Sequence, residues 1–416
     1  MTDAEQRARE AGLEVVNWDI ELDERFRHQS PTFSVNEAAR LYSRDKGMFF
    51  SNAARGFFVL TKYDYVVEVL NDAELYCSSK GTHLFLHEPM AHRPLPMEMD
   101  PPEHTKVRQL LAPFFTPSRV QGKYKDEARN LAIKIIREVA EKGSCDAIQD
   151  LGEPIAAAIT LNNMGVDPAL ATMLKGAVKQ RSLPKTVDEE KKAGYEKGVS
   201  TIRDLFVDIL AKRREKREDD IPSALLDSLI DGEPIADDVV LNLCCTVFAA
   251  GVHTTSTQLG FAFYNLARDP SLRRRLVDEP KIIVKAIEEL MRYEAAAVLQ
   301  GRMVTRDVDF HGLQLRAGDR LILAQAAANR DPEVFSDPDQ IDFDRKNAVK
   351  QVTLGRGPHR CIGSYQAKMI LQIALEEWHA RIPEYTLGDM SQATYELSCA
   401  GSISQVPLVF EPQQAN

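Results

Sequence analysis

The chain has 416 residues, of which 44% are hydrophobic and 27% charged, and carries a formal net charge of −10. This is a globular composition with material for a large core. The acidic balance lacks the basic footprint of a nucleic-acid-binding surface, so no nucleic acid is expected as a partner.

Residues 1–30 read as a polar N-terminal extension. They hold neither the apolar core of a signal peptide nor the roughly 20 apolar residues of a membrane anchor. The expected location is the cytoplasm, with no membrane contact. The cysteines Cys77, Cys145, Cys244, Cys245, Cys361 and Cys399 show no Cys-x-x-Cys spacing, which fits a reducing compartment. Residues 57–60 predict a strand, and residues 63–70, with Val66, Val67, Val69 and Leu70, a helix. Residues 80–98 have no period and hold His83, His87 and His92 among Pro89, Pro94 and Pro96. Three histidines so close suggest metal, but a proline-broken loop makes a poor rigid cage.

A helix begins at Asp100-Pro101-Pro102-Glu103. Proline is tolerated in a first turn and Glu103 suits the helix dipole. His104 and Arg108 are i, i+4 and share a face. Residues 131–138 and 152–161 predict helices, and residues 170–197 a less regular stretch. The mixed charges of residues 212–220 read as a solvated helix end and loop.

Residues 236–268 give the longest helical signal, stopped by Asp269-Pro270. About 33 residues would span roughly 50 Å. The run is apolar nearly all round, as for a helix buried through a domain centre. At its middle stand Ala249, Ala250, Gly251, Val252, His253, Thr254 and Thr255. Glycine is costly mid-helix and the threonines can bond back to carbonyls, so the helix is expected to loosen there and admit a small molecule. A slightly bent core helix is the alternative. Residues 284–293 predict a helix on which Glu289 and Arg292 face the same way and can pair fork to fork.

Residues 354–363 read Leu-Gly-Arg-Gly-Pro-His-Arg-Cys-Ile-Gly and precede a helix-like run over residues 364–380. Gly355, Gly357 and Gly363 allow positive φ or close backbone approach. Cys361 then lies just ahead of a helix N-terminus, whose partial positive charge favours a thiolate. Glycine-flanked amides can tune what the sulfur binds. A cysteine held this way is a good single ligand for haem iron. A buried, inert cysteine beside a glycine-rich turn is the alternative.

This stretch resembles the haem-binding loop of the cytochromes P-450, the haem-thiolate monooxygenases. Gly355, Gly357, His359, Cys361, Gly363 and Ala367 match that family's pattern, while Leu354 stands where it usually has Phe. The resemblance implies a mainly α fold with a small β region. It also implies a single triangular-prism-like domain over residues 1–416 with a long central helix. The cofactor would be haem b, ligated by Cys361 in a haem-thiolate loop, residues 354–363, that includes Gly355 and His359. His104, Arg108 and Arg302 would bind its propionates. Ala250, Gly251 and Thr254 resemble the oxygen-activation motif, with His253 in place of the usual acid; an imidazole can still relay protons. Glu289 and Arg292 take the place of the family's structural clamp. Residues 300–319 and 407–412 look particularly like camphor-hydroxylating bacterial members. Gln300 and His92 differ from them, so camphor itself is not implied.

By family position, the substrate pocket would be walled by Leu84, Phe85, Leu86, His92, Thr246, Ala249, Ala297, Val298, Leu299, Ser402 and Ile403. Such walls suit a small to medium apolar compound, terpenoid-like or aromatic. The implied reaction uses O2 and electrons from a ferredoxin and its ferredoxin reductase. Lys106, Arg108, Lys350, Arg356, Arg360 and Lys368 would attract that acidic partner. The alternatives are a haem-thiolate peroxygenase or atypical natural-product tailoring enzyme, and a non-catalytic haem-binding sensor.

Overall fold

The computed structural model describes every residue except 1, 21–22, 24, 26–28, 83–92, 175–176, 178–188, 398–399 and 414–416, and only the backbone of 123, 189–192, 195 and 396–397. Helices carry most of the described chain, with short strands and irregular connections between them, the mainly α architecture with a small β region that the resemblance implies. Backbone contacts group the residues into two units. One takes Met1–Thr105, Glu288–Cys361 and Tyr395–Ser402; the other takes Lys106–Ile287, Ile362–Thr394 and Ile403–Asn416.

The first unit is built on a six-stranded sheet. Its strand order is Val15–Val16, Met48–Ser51, Phe57–Leu60, Arg320–Leu323, Gln300–Val304 and Tyr76–Cys77. Successive side chains of a strand point to opposite faces. Phe58 and Leu60 accordingly join one apolar cluster, with Val66 and Leu321, while Phe57 and Val59 join another, with Trp18 and Phe49. Burial on both faces accounts for the unbroken apolar run. Leu321 pairs with Arg302, which fixes that arginine within a central strand.

The N-terminal residues are not a polar extension. Asp3–Glu10 forms a helix and Val15–Val16 adds a parallel strand to the sheet. Arg7 forks onto Asp319 at 2.8 and 2.9 Å, and Ala8 is fully buried. Polarity misleads here because the polar side chains are themselves the anchors. The Glu289–Arg292 pair is interior. The guanidinium meets both carboxylate oxygens at 2.7 and 2.8 Å, and Arg345 Nε meets both at 3.0 Å.

The second unit is organised around one 32-residue helix, Asp237–Arg268. Its first turn carries Asp237 and Asp238, which suit the helix dipole. It ends at Asp269, whose carboxylate caps the next helix by accepting from the Ser271 and Leu272 amides. Val240, Leu243, Phe248, Val252, Phe261 and Phe263 are buried against neighbours that include the helices Glu153–Asn163, Glu189–Glu215, Ile221–Leu226 and Ser364–Arg381. Among the described residues it is the one helix long and apolar enough to cross a membrane, by length and composition. The expectation of irregular chain over residues 170–197 fails at its end, because residues 189–197 are helical. Glu, Lys and Ala there are strong helix formers without an apolar period to announce them.

Candidate active site

In the first unit, the cysteine loop is closed by backbone hydrogen bonds. Cys361 N–H donates to the Leu354 carbonyl at 2.8 Å, and Gly355 N–H to that of Val352 at 2.8 Å. Gly355 and Gly357 take φ of +66° and +62°. A Cβ at Gly357 would fall 2.3 Å from the Leu70 carbonyl oxygen, so no other residue fits. Gly363 needs no such freedom: its φ is −82°, and it stands at the N-terminus of the helix Ser364–Arg381. The Cys361 side chain is exposed. The thiols of Cys77, Cys145 and Cys244 are instead pushed up by burial, which makes them inert.

His104 is buried, and its ring lies on that of His359, centroids 4.0 Å apart and tilted by 32°. Arg302 is 1% exposed. Its Nη1 donates to the Gly301 carbonyl at 2.7 Å, while its buried Nη2 has no hydrogen-bond partner among the described residues. Burial pushes its pKa down to about 10. A buried cation with a spare donor calls for an anion. An exposed thiol, imidazoles and this guanidinium are the donor types that haem and its carboxylate arms require, so the residues present fit that cofactor. Arg108, half-buried, stands one turn beyond His104 on the helix Glu103–Leu111.

In the second unit, the middle of the central helix breaks its own burial pattern. Ala249, Ala250, His253 and Thr254 keep accessible surface, while Phe248, Val252 and Thr255 do not. The Thr254 hydroxyl donates to the Ala250 carbonyl at 2.8 Å, and that of Ser256 to the His253 carbonyl at 2.9 Å. These back-bonds take up two carbonyls of the ladder without interrupting it. With its proton committed to Ala250, the Thr254 oxygen is left to accept a hydrogen bond from a ligand. Gly251 does not act by loosening the helix. It permits close approach, because a Cβ there would lie 3.0 Å from Thr160 Cγ2.

The expected pocket walls divide. Leu84, Phe85, Leu86 and His92 lie outside the described residues. Ala249, Ala297 and Ser402 keep accessible surface, while Thr246, Leu299 and Ile403 are buried. Val298 is wholly buried in the cluster with Trp18, Val35 and Phe49, and so belongs to the core rather than to a wall. Thr246 donates to Asn242 Oδ1 at 3.2 Å. Of the expected docking cations, Lys106 has its charge offset by a carboxylate, whereas Arg356 meets a neutral acceptor and keeps its charge. Lys106 pairs with Asp231 at 2.6 Å, and Arg356 donates to the Lys350 carbonyl at 2.6 Å.

A family profile described as Cytochrome P450 matches residues 27–378. The chain belongs to the cytochrome P450 family. It is 30% identical over 365 residues to a steroid C26-monooxygenase of Mycolicibacterium smegmatis, covering 86% of this chain and 88% of that protein. It is 30% identical over 341 residues to the mycinamicin IV hydroxylase/epoxidase of Micromonospora griseorubida, covering 80% and 83%. The crystal structure of CYP101J2 superposes with a TM-score of 0.83 at 26% identity, covering 99% of this chain and all of that one. The protein is a P450 monooxygenase of bacterial type, and its cofactor is haem b, held by a cysteine thiolate. Its reaction takes O2, a redox partner and an organic substrate. Bound haem supplies the O2 chemistry, with the thiolate pushing electron density toward O–O cleavage.

Sequence reasoning did not single out Thr160 or Gln366. Both are polar residues on buried helix faces, and that mismatch was the available signal.

Proposed function

We propose that this P450 hydroxylates a small to medium apolar compound, terpenoid-like or steroid-like, in the cytoplasm, using electrons from a ferredoxin and its reductase. Cys361 is the iron ligand. His104, Arg108, Arg302 and His359 hold the carboxylate side of the haem. The domain is a single one, an assignment supported by a family match that runs through both units. The observation that carries the substrate class is the accessible stretch of the central helix. It offers the methyls of Ala249 and Ala250 and one hydroxyl, that of Thr254, whose oxygen is left as an acceptor. Such a surface receives an apolar body and handles one proton path. A relative named for steroid oxidation supports this class.

His253 passes protons toward Thr254 in the place of the family's acid. Adjacent helix residues point about 100° apart, so it does so from the side rather than by touching the reacting atoms. Thr254→Ala diverts electrons to peroxide, and His253→Ala slows turnover.

A panel containing a monoterpene, a steroid, a macrolide and a fatty acid tests the assignment. The Soret shift of the holoenzyme reports binding, and product is measured with reduced ferredoxin and O2. The expected result is tight binding and oxygenation of the alicyclic compounds. Turnover with hydrogen peroxide but not with ferredoxin would make it a peroxygenase, and no product by either route would make it a haem-binding sensor.

A further inference from the structure

The central helix meets the helix Glu153–Asn163 through bare backbone at Gly251. An added methyl there would lie 3.0 Å from Thr160 Cγ2 and 3.1 Å from Thr160 Oγ1. Thr160 is buried, and its hydroxyl accepts a hydrogen bond from Gln366 Nε2 at 3.3 Å. Gln366 is buried as well, and its Oε1 has no partner among the described residues. It sits in the first turn of the helix Ser364–Arg381, which starts three residues after Cys361. One buried hydroxyl therefore ties three helices of the second unit together.

We propose that Thr160 and Gln366 are positioning residues for Thr254, fixing the seat of the central helix at Gly251. The inference rests on the reading of Thr254 as the hydroxyl that handles protons. Packing alone does not account for these side chains. An apolar residue at position 366 would fill the space without burying an unpartnered oxygen, and valine at position 160 would offer the same methyl to Gly251. What only Thr and Gln supply is the hydrogen bond. Gly251 precedes Thr254 by three residues and directly follows Ala250, the acceptor of the Thr254 hydroxyl. A shift of this turn thus moves Thr254 and its acceptor together. Interiors are close-packed, so a displacement at Gly251 is transmitted along the helix rather than absorbed.

The test reads the C–O stretch of the reduced, CO-bound holoenzyme by infrared spectroscopy, with carbon monoxide as the only probe. Thr254→Ala is the reference and shifts the band. Gly251→Ala is expected to shift or split it. Gln366→Leu and Thr160→Val, which keep the volume, are expected to split or broaden it, while Thr160→Ser restores the wild-type band. The volume-conserving variants keep the test alive if Gly251→Ala fails to fold. A band unchanged in Gln366→Leu and Thr160→Val, while Thr254→Ala shifts it, would overturn the inference alone. A band unchanged in Thr254→Ala would remove the reading beneath it.

Discussion

Arg292 and Arg302 belong to the same unit and are equally hidden from solvent, yet their surroundings are opposite. Arg292 spends its donors on the Glu289 carboxylate and on the carbonyls of Asn329, Pro338 and Gln340. Among the described residues Arg302 reaches only the Gly301 carbonyl, and one buried nitrogen has no partner there. A buried charge whose donors are all met is structural, because the fold itself supplies the counter-charge. A buried charge with a donor to spare is half of a binding site, completed by a ligand's anion. The second unit shows a third way to bury a base, which is to keep it neutral. His379 sits between the Leu375 carbonyl at 2.8 Å and the Tyr385 hydroxyl at 3.1 Å, and burial pushes its pKa down to about 4.

Removing the counter-charge should give the largest effect. Glu289→Leu leaves the guanidiniums of Arg292 and Arg345 buried without it, and should cost about 3–5 kcal/mol in urea unfolding. A loss below about 1 kcal/mol would mean that the pair behaves as a surface bridge.

The neutral histidine gives the next effect, with a defined sign. Its folded pKa of about 4 lies below its ordinary 6.5, so the unfolded chain takes up the proton first as pH falls. Stability is full above pH 6.5 and is lost as pH falls toward 4, by up to about 3 kcal/mol. His379→Phe should flatten this part of the pH–stability curve. An unchanged slope would show that the imidazole charges without penalty.

Arg302→Met gives the smallest effect and the most informative one, because its sign should differ between apo and haem-loaded protein. Without haem the variant should be unchanged or more stable by about 1–3 kcal/mol, since a buried charge with no ion pair among the described residues, and only the more distant field of Asp100 to offset it, has been removed. With haem it should lose cofactor faster than wild type, followed by transfer to apomyoglobin. A large loss of apo stability would place Arg302 with Arg292 and erase the distinction.

Much of this was legible in the sequence. The cysteine loop, the central helix and the Glu289–Arg292 pair were all announced by residue type and spacing, because each rests on a local rule: glycine where backbone crowds, apolar residues all round, i, i+3 on one face. What was not legible depends on partners far along the chain. Arg7 reads as one charge in a polar leader until Asp319 meets it. Gly251 reads as a weak point until Thr160 closes on it. Val298 and Ala297 read alike until Trp18 and Phe49 close over one of them. Lys106 reads as one docking cation among six until Asp231 pairs with it.

Cys361, just ahead of the helix Ser364–Arg381, is the proposed protein ligand to haem iron. The absorption spectrum of the reduced, CO-bound holoenzyme decides this assignment. Wild type, and variants in which Cys77, Cys145, Cys244, Cys245 or Cys399 is changed to Ala, should show the red-shifted Soret band of thiolate ligation, and Cys361→His should lose it while retaining haem. Persistence of that band in Cys361→His, or its loss on changing another cysteine, would contradict the assignment.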